Sequence, residues 1–213
     1  MKITLIYDNE VHTRGLRSDW GFSCLIDRED APRILFDTGS SGSILLHNME
    51  ELGLDPLSIG MVVISHAHWD HTGGLSHFLT RNREAKIYIP ESCRAPKDAE
   101  EVIRVKDGLE ICPAVFSTGE LMGIEQSLAV STEKGLAVIA GCSHPGVENI
   151  LNAASQFGTP YALVGGLHGF SRFDVIKDLS IICPCHCTQY KARIRSLYPE
   201  KYIDGGAGKI IEL

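Results

Sequence analysis

The sequence predicts a single α/β domain in which helices pack on one or more sheets. Three observations lead there. The 213 residues fit one large domain, or at most two small ones, at the usual ~100–200 residues per domain. Hydrophobic residues make up 44% and charged residues 22% of the chain, a soluble average that excludes disordered and collagen-like classes. Short apolar runs alternate with helix-like segments from end to end. No Ser/Gly-rich linker, low-complexity tract or repeat divides them, so residues 1–213 are read as one unit.

The strands come first. Lys2–Tyr7, Gly21–Asp27, Arg33–Asp37, Met61–Ser65, Lys86–Ile89, Leu109–Phe116, Ser127–Ser131, Leu136–Ala140, Tyr161–Val164, Leu179–Cys183 and Lys209–Glu212 are rich in Ile, Val, Leu, Phe and Tyr. Gly, Pro, Asp and Ser bound them. Ser131-Thr132-Glu133-Lys134-Gly135 has the composition of a hairpin loop. Four helices are expected at Gly42–Leu52, Gly73–Arg83, Gly146–Phe157 and Thr188–Leu197. In the third, Val147, Ile150, Leu151, Ala154 and Phe157 form one apolar stripe, opened by Pro145 and closed by Gly158. Each helix can bury only one face and so covers the outside of a sheet.

The formal net charge is −7, with no excess of basic residues to neutralise a nucleic-acid backbone, so no nucleic-acid partner is expected. A small anionic substrate is compatible with this charge if metal ions supply local positive charge. Apolar runs such as Ile59–Ile64 fall far short of the ~18 residues of a spanning helix, so no membrane partner is expected either. Asp8 interrupts the N-terminal apolar run too early for a signal peptide. Seven cysteines, an odd number scattered outside Cys183, Cys185 and Cys187, do not form a disulfide framework. The expected compartment is a reducing cytoplasm.

Directly after Met61-Val62-Val63-Ile64 the chain reads Ser65-His66-Ala67-His68-Trp69-Asp70-His71-Thr72-Gly73-Gly74. A lone histidine is ordinarily a hydrogen-bonded surface or core residue. Three imidazoles and a carboxylate crowded at the mouth of a strand have no structural use and read as metal ligands. His66 and His68, two apart in extended chain, point to the same side and can grip one ion. Asp70 and His71 follow once the chain turns and can reach a second. Two roughly four-coordinate zinc ions sharing one hydroxide need about six protein ligands, so two more must come from other strand ends. His144 in Gly141-Cys142-Ser143-His144-Pro145-Gly146, His186 in Cys183-Pro184-Cys185-His186-Cys187, and His168 in Gly165-Gly166-Leu167-His168-Gly169 all follow apolar strands. His12, His47 and His77 lack that context and read as ordinary structural residues.

The run Ser65–Leu75 resembles the HxHxDH signature of the metallo-β-lactamase-fold hydrolases, and Leu35-Phe36-Asp37-Thr38-Gly39 resembles their preceding strand and Asp turn. Asp19-Trp20-Gly21-Phe22-Ser23, Glu125-Gln126-Ser127-Leu128, the blocks around His144 and His168, and Cys185-His186-Cys187-Thr188 resemble a subgroup linked to methanopterin biosynthesis. The resemblance implies an αββα sandwich, two mixed sheets with helices on the outer faces and two metal ions at one edge. It implies His66, His68 and His144 on one ion and Asp70, His71 and His186 on the other. Two departures stand out: there is no His-Thr-Pro-Gly block, and Gly141 is followed by Cys142 where many relatives have a bridging Asp.

The resulting expectation is a hydrolase in which two divalent ions activate a shared hydroxide for attack on an ester, lactone or phosphoester. Asp70 is the candidate catalytic residue, a ligand that also orients the nucleophile. Zn2+ is favoured, with Mn2+ or Fe2+ as the alternatives, because His68 stands where the di-iron branch of the fold carries glutamate. The subgroup resemblance implies a rival: a transferase condensing a dihydropterin pyrophosphate with a ribofuranosylaminobenzene 5'-phosphate. A third, non-enzymatic reading is a metal or thiol redox sensor. Strand alternation is expected to put the sulfurs of Cys183, Cys185 and Cys187 on one face and His186 on the other, with the thiols serving packing. Cys142 reads equally as packing or functional thiol, and Asp37 equally as a turn cap or as a hydrogen-bond partner that fixes a histidine tautomer. Lys191 and Arg195 read as a solvated basic face rather than a phosphate clamp. Gly205-Gly206-Ala207-Gly208-Lys209 is a turn, since Ile203 and Ile210 break the phosphate-loop pattern.

Overall fold

The computed structural model describes residues 1–213. The first sheet holds seven strands, in the order β13(Ile210–Glu212), β1(Lys2–Tyr7), β2(Ser23–Asp27), β3(Arg33–Phe36), β4(Ile59–Val63), β5(Lys86–Pro90) and β6(Val102–Val105). The second holds six: β12(Ile181–Cys185), β11(Pro160–Gly166), β10(Gly135–Ala140), β9(Leu128–Thr132), β8(Val115–Ser117) and β7(Leu109–Cys112). Both are mixed. β1–β3 and β7–β10 are antiparallel neighbours, whereas β3–β6 and β10–β12 pair in parallel. The helices are α1(Gly42–Glu51), α2(Trp69–Thr72), α3(Leu75–Leu79), α4(Val147–Ala154) and α5(Lys191–Leu197).

Period-2 alternation of the strands creates the layers. Ile34 and Phe36 of β3 face a core between the sheets, together with Ile3, Ile26, Val63, Val130, Ile139 and Val164. Leu35, between them, faces outward with Ile6, Leu25 and Val62 and is covered by Leu45 and Met49 of α1 and by Phe78 and Leu79 of α3. On the far side Val147, Ile150, Leu151 and Ala154 of α4, with Ile194 of α5, cover Leu136, Val138, Leu163 and Ile182. This is the expected α/β sandwich, with two mixed sheets face to face and helices outside. No helix is long and apolar enough to cross a membrane.

Three elements differ from expectation. Leu109–Phe116 is two antiparallel strands, because the chain reverses at Cys112-Pro113-Ala114, where Ala114 takes φ 62°. β6 is not legible as a strand: Arg104 and flanking Glu101 and Lys106 hide two valines of an edge strand half open to solvent. The helix expected at Gly73–Arg83 is broken into α2 and α3, and it starts earlier, at Trp69. There the chain packs against the turn after β3 so closely that a Cβ on Gly74 would stand 2.1 Å from the Thr38 carbonyl oxygen. A side chain is excluded, and the motif is thereby clamped onto Asp37–Ser40.

Candidate metal centre

Ligand-type side chains gather where β4, β10, β11 and β12 end. Asp37, Ser143, His168 and His186 all have left-handed backbone, φ 57°, 60°, 45° and 46°. Non-glycine residues adopt this region sparsely, and it concentrates at sites held by their surroundings. Here it marks sharp turns where strands end: Asp37 directly follows β3 and His186 directly follows β12. Asp70, His71 and His186 lie in one cluster, and His66 and His144 in another. The Nε2 of His186 is 3.2 Å and that of His71 3.8 Å from Asp70 Oδ2. The His144 ring lies 4.6 Å from that of His66 and 4.8 Å from that of His68. Of the six residues expected from the sequence, His68 is the outlying one: it is exposed, and its Nδ1 lies 3.1 Å from His66 Nε2. His168 is exposed, with its ring 5.3 Å from that of His144. His12, His47 and His77 lie outside the clusters, and His47 Nε2 stays at the surface against the Gly15 carbonyl.

What organises the centre is a second layer of oxygen acceptors. His71 Nδ1 donates to Asp37 Oδ2 (2.7 Å), His144 Nδ1 to Glu125 Oε2 (3.0 Å) and His186 Nδ1 to Asn9 Oδ1 (2.9 Å). Ser65 Oγ donates to Asp37 (2.7 Å), which leaves the oxygen to accept from His66 Nδ1 at 2.8 Å. With each Nδ1 protonated and tied outward, each Nε2 presents a bare lone pair inward, the tautomer a metal ligand needs. Of the two readings of Asp37, the structure supports the hydrogen bond to a site histidine. His66 Nε2 meets only the His68 ring and His71 Nε2 only the Cys142 sulfur, at 3.1 and 3.2 Å. His186 Nε2 is buried without a hydrogen-bond partner, since its approach to Asp70 lacks the required geometry. Buried polar groups are rarely left so unless a ligand completes them.

Charge is set in the same way. Burial first, and then neighbouring imidazoles, push His66 and His71 down to about 3, so both are neutral at physiological pH. Burial would raise Glu125, yet the His144 hydrogen bond, the nearby His66 and backbone N–H groups bring it down to about 2. Asp70 is also held below the usual carboxylate range; burial opposes this, and His186 and His71 outweigh it. Burial pushes Asp37 up to about 7.

A stability prediction for the metal-free protein follows. Between 6.5 and about 3 the unfolded chain takes up protons at positions 66 and 71 that the folded chain refuses, so stability falls as pH drops through that window. Glu125, depressed from 4.5 to about 2, adds loss at the acidic end. Asp37, raised from 3.8 to about 7, runs the other way, as do Asp8, raised by burial, and His144, raised by its hydrogen bond to Glu125; His144 acts above 6.5, and below that the two imidazoles, joined by Glu125, outweigh the carboxyls. The denaturation midpoint of chelator-treated protein should therefore decline from pH 6 to pH 4. A flat or rising profile would contradict the assignment.

Glu125 is the functional residue that sequence reasoning missed. Fully buried, it accepts from the backbone N–H of Gly141, Cys142 and Ser143 at one oxygen and from the His144 N–H and imidazole at the other. Asp8 and Asn9 were missed as well; Asp8 accepts from the His186 N–H, at 3.3 Å from Oδ2. The expected placement of three cysteine sulfurs on one face needs correction. Cys183 and Cys185 do share the inter-sheet core, 3.8 Å apart. But β12 ends at Cys185, and the left-handed turn at His186 sends Cys187 Sγ to within 3.3 Å of Cys142 Sγ. Lys191 pairs with Glu10 and Arg195 with Asp204 at the surface, in keeping with a solvated basic face.

Known proteins resemble this chain along nearly all of its length. The profile of the metallo-beta-lactamase superfamily matches residues 21–149. A 7,8-dihydropterin-6-methyl-4-(beta-D-ribofuranosyl)-aminobenzene-5'-phosphate synthase from Methanocaldococcus jannaschii is 29% identical, over 98% of this chain and 95% of its own. Among solved structures, Tm1679, described as a metal-dependent hydrolase of the beta-lactamase superfamily, superposes with a TM-score of 0.80 at 26% identity, over 100% of this chain and 99% of its own. The metallo-beta-lactamase fold protein YhfI from Bacillus subtilis shares the fold at a TM-score of 0.74 and 11% identity, over the same shares of the two chains.

Proposed function

The chain belongs to the metallo-beta-lactamase superfamily, and we propose that it is a hydrolase dependent on two divalent metal ions. One observation carries the reading: four imidazoles whose Nδ1 atoms are held by Ser65, Asp37, Glu125 and Asn9, leaving four Nε2 atoms turned inward, those of His71 and His186 towards the Asp70 carboxylate. Neutral nitrogen donors with a single carboxylate suit zinc, with manganese or ferrous iron as alternatives. In this reading His66, His68 and His144 hold one ion, and Asp70, His71 and His186 the other. Bound there, the ions supply Lewis acidity towards an ester, lactone or phosphoester and lower the pKa of a water molecule.

The chain's own residues do the rest. Asp37, Glu125 and Asn9 fix the imidazole planes, and Asp70, kept ionised, offers its carboxylate to orient the nucleophile. Exposed His168 stands at the rim, its ring 5.3 Å from that of His144, able to donate to an anionic substrate oxygen. The purified protein should carry about two divalent ions per chain. Elemental analysis of protein prepared without chelator checks this, and finding none would refute the reading.

The synthase relative favours a second reading, a transferase acting on a pterin and an aminobenzene ribofuranosyl phosphate. Two divalent ions suit a pyrophosphate leaving group as well as they suit hydrolysis. Half-exposed Trp20, edge-on to His186 at 5.1 Å, adds a surface on which a planar ring can stack. Parallel assays with phosphodiesters, lactones and the pterin pair separate the two readings: pyrophosphate release only with the pair identifies the transferase.

A further inference from the structure

A cavity of about 380 Å³ opens beside the histidine-rich run, and none of the six ligand residues lines it. Its floor is part of the outer apolar layer: Ile64, Leu75, Leu79, Ile89 and Cys93. Ala67, which stands between His66 and His68, and Thr72 add to the lining on the side of the motif. The loop after β5, Arg94–Asp98, closes another side. Arg104 holds the start of that loop, donating to the Glu91 and Cys93 carbonyls at 2.6 and 2.8 Å. The space is therefore built, and it is distinct from the metal centre.

Charge decides what fits. Arg94 and Lys97 of the loop are both exposed, and neither has an ion-pair partner. Nearby Lys86 and Arg104, by contrast, are engaged by Glu101 and by the two carbonyls. Asp98 is the one acid in the lining, so cations outnumber anions here in a chain whose net charge is −7. Ligand cavities of ~300–1,000 Å³ are typically apolar, with a few polar groups that fix orientation. We propose that this cavity is a second binding site, for a small amphiphile with an anionic head. Arg94 and Lys97 hold a carboxylate or phosphate head, and a short alkyl or aryl tail lies on the apolar floor. The occupant touches Ala67 and Thr72, and Thr72 Oγ1 donates to the His68 carbonyl at 3.0 Å. The site thus abuts the segment that carries two of the ligand histidines.

Calorimetric titration of the purified full chain with octanoate and with octyl phosphate tests this. Saturable binding of at least one is expected, and the tighter of the two identifies the head as carboxylate or phosphate. Tail burial should strengthen binding about fourfold per methylene, hence roughly 15-fold from hexanoate to octanoate. Ser76→Trp, placed on the exposed face of α3 where it lines the cavity, should fill the space and abolish binding. Arg94→Ala combined with Lys97→Ala removes only exposed side chains and should weaken binding about tenfold or more, which keeps the test open if Ser76→Trp folds poorly. Metal content should stay at the wild-type level in both variants. Binding undiminished in the double variant would put the anion on the metal ions instead and overturn the proposal. Octylamine binding as tightly as octanoate would overturn it as well, and so would failure of both anionic probes to bind.

Discussion

Asp70→Asn is expected to lose turnover and one bound ion while folding normally. The substitution keeps the shape of the side chain and removes its charge. Losing a residue that merely orients a metal ligand costs ~10–100-fold in affinity or activity, and loss of a direct ligand should exceed that. Nothing in the fold depends on the Asp70 carboxylate: its backbone carbonyl, not its side chain, accepts from the Phe22 N–H. Its carboxylate faces His186 and His71, at 3.2 and 3.8 Å. The denaturation midpoint of the metal-free protein should therefore stay close to that of the wild type. Metal content, turnover on whichever ester or phosphoester the wild type cleaves, and the apo midpoint are the three readouts. A variant with two ions and undiminished turnover would remove Asp70 from the centre.

Much of this centre was legible because its ligands sit in sequence where local rules apply. Apolar β4 followed at once by His66, His68, Asp70 and His71 is a pattern with no packing purpose, and the same strand-then-histidine layout picked out His144, His168 and His186. The partners that orient them were harder to see. Glu125 stands in a block that the sequence marks only by its resemblance to the subgroup, with no role attached, yet it is fully buried, and the groups it binds lie 16 to 19 residues further along. Its one local signal is the run Glu125-Gln126-Ser127 abutting an apolar strand with no turn residue between. Asn9 meets His186 across 177 residues, a pairing set by β1 and β12 ending at the same edge of different sheets. No periodicity encodes it. Cys187 was misplaced for a related reason: the alternation rule holds only while the strand lasts, and the left-handed turn at His186 is imposed by tertiary contacts.

Glu125→Ala should be the most destabilising single substitution at the centre. The carboxylate gathers four backbone N–H groups and one imidazole N–H, and its removal leaves them facing a cavity. Each buried unsatisfied donor costs about 1–3 kcal/mol, although water entering the space recovers part of this. A net loss on the order of 3–5 kcal/mol is expected, comparable to breaking a buried ion pair and a large share of the ~5–15 kcal/mol that holds a domain folded. Glu125→Gln separates stability from ligation. With its amide oxygen towards Gly141, Cys142 and Ser143, its NH2 confronts the His144 imidazole. Nδ1 must then accept, and the proton moves to Nε2, the atom needed by the metal. Gln should thus fold with a smaller loss, as read by chemical denaturation, yet bind metal more weakly at the His144 side, as read by competition with a chelator. If both variants match the wild type in midpoint and metal affinity, Glu125 is not what holds His144 in its ligating form.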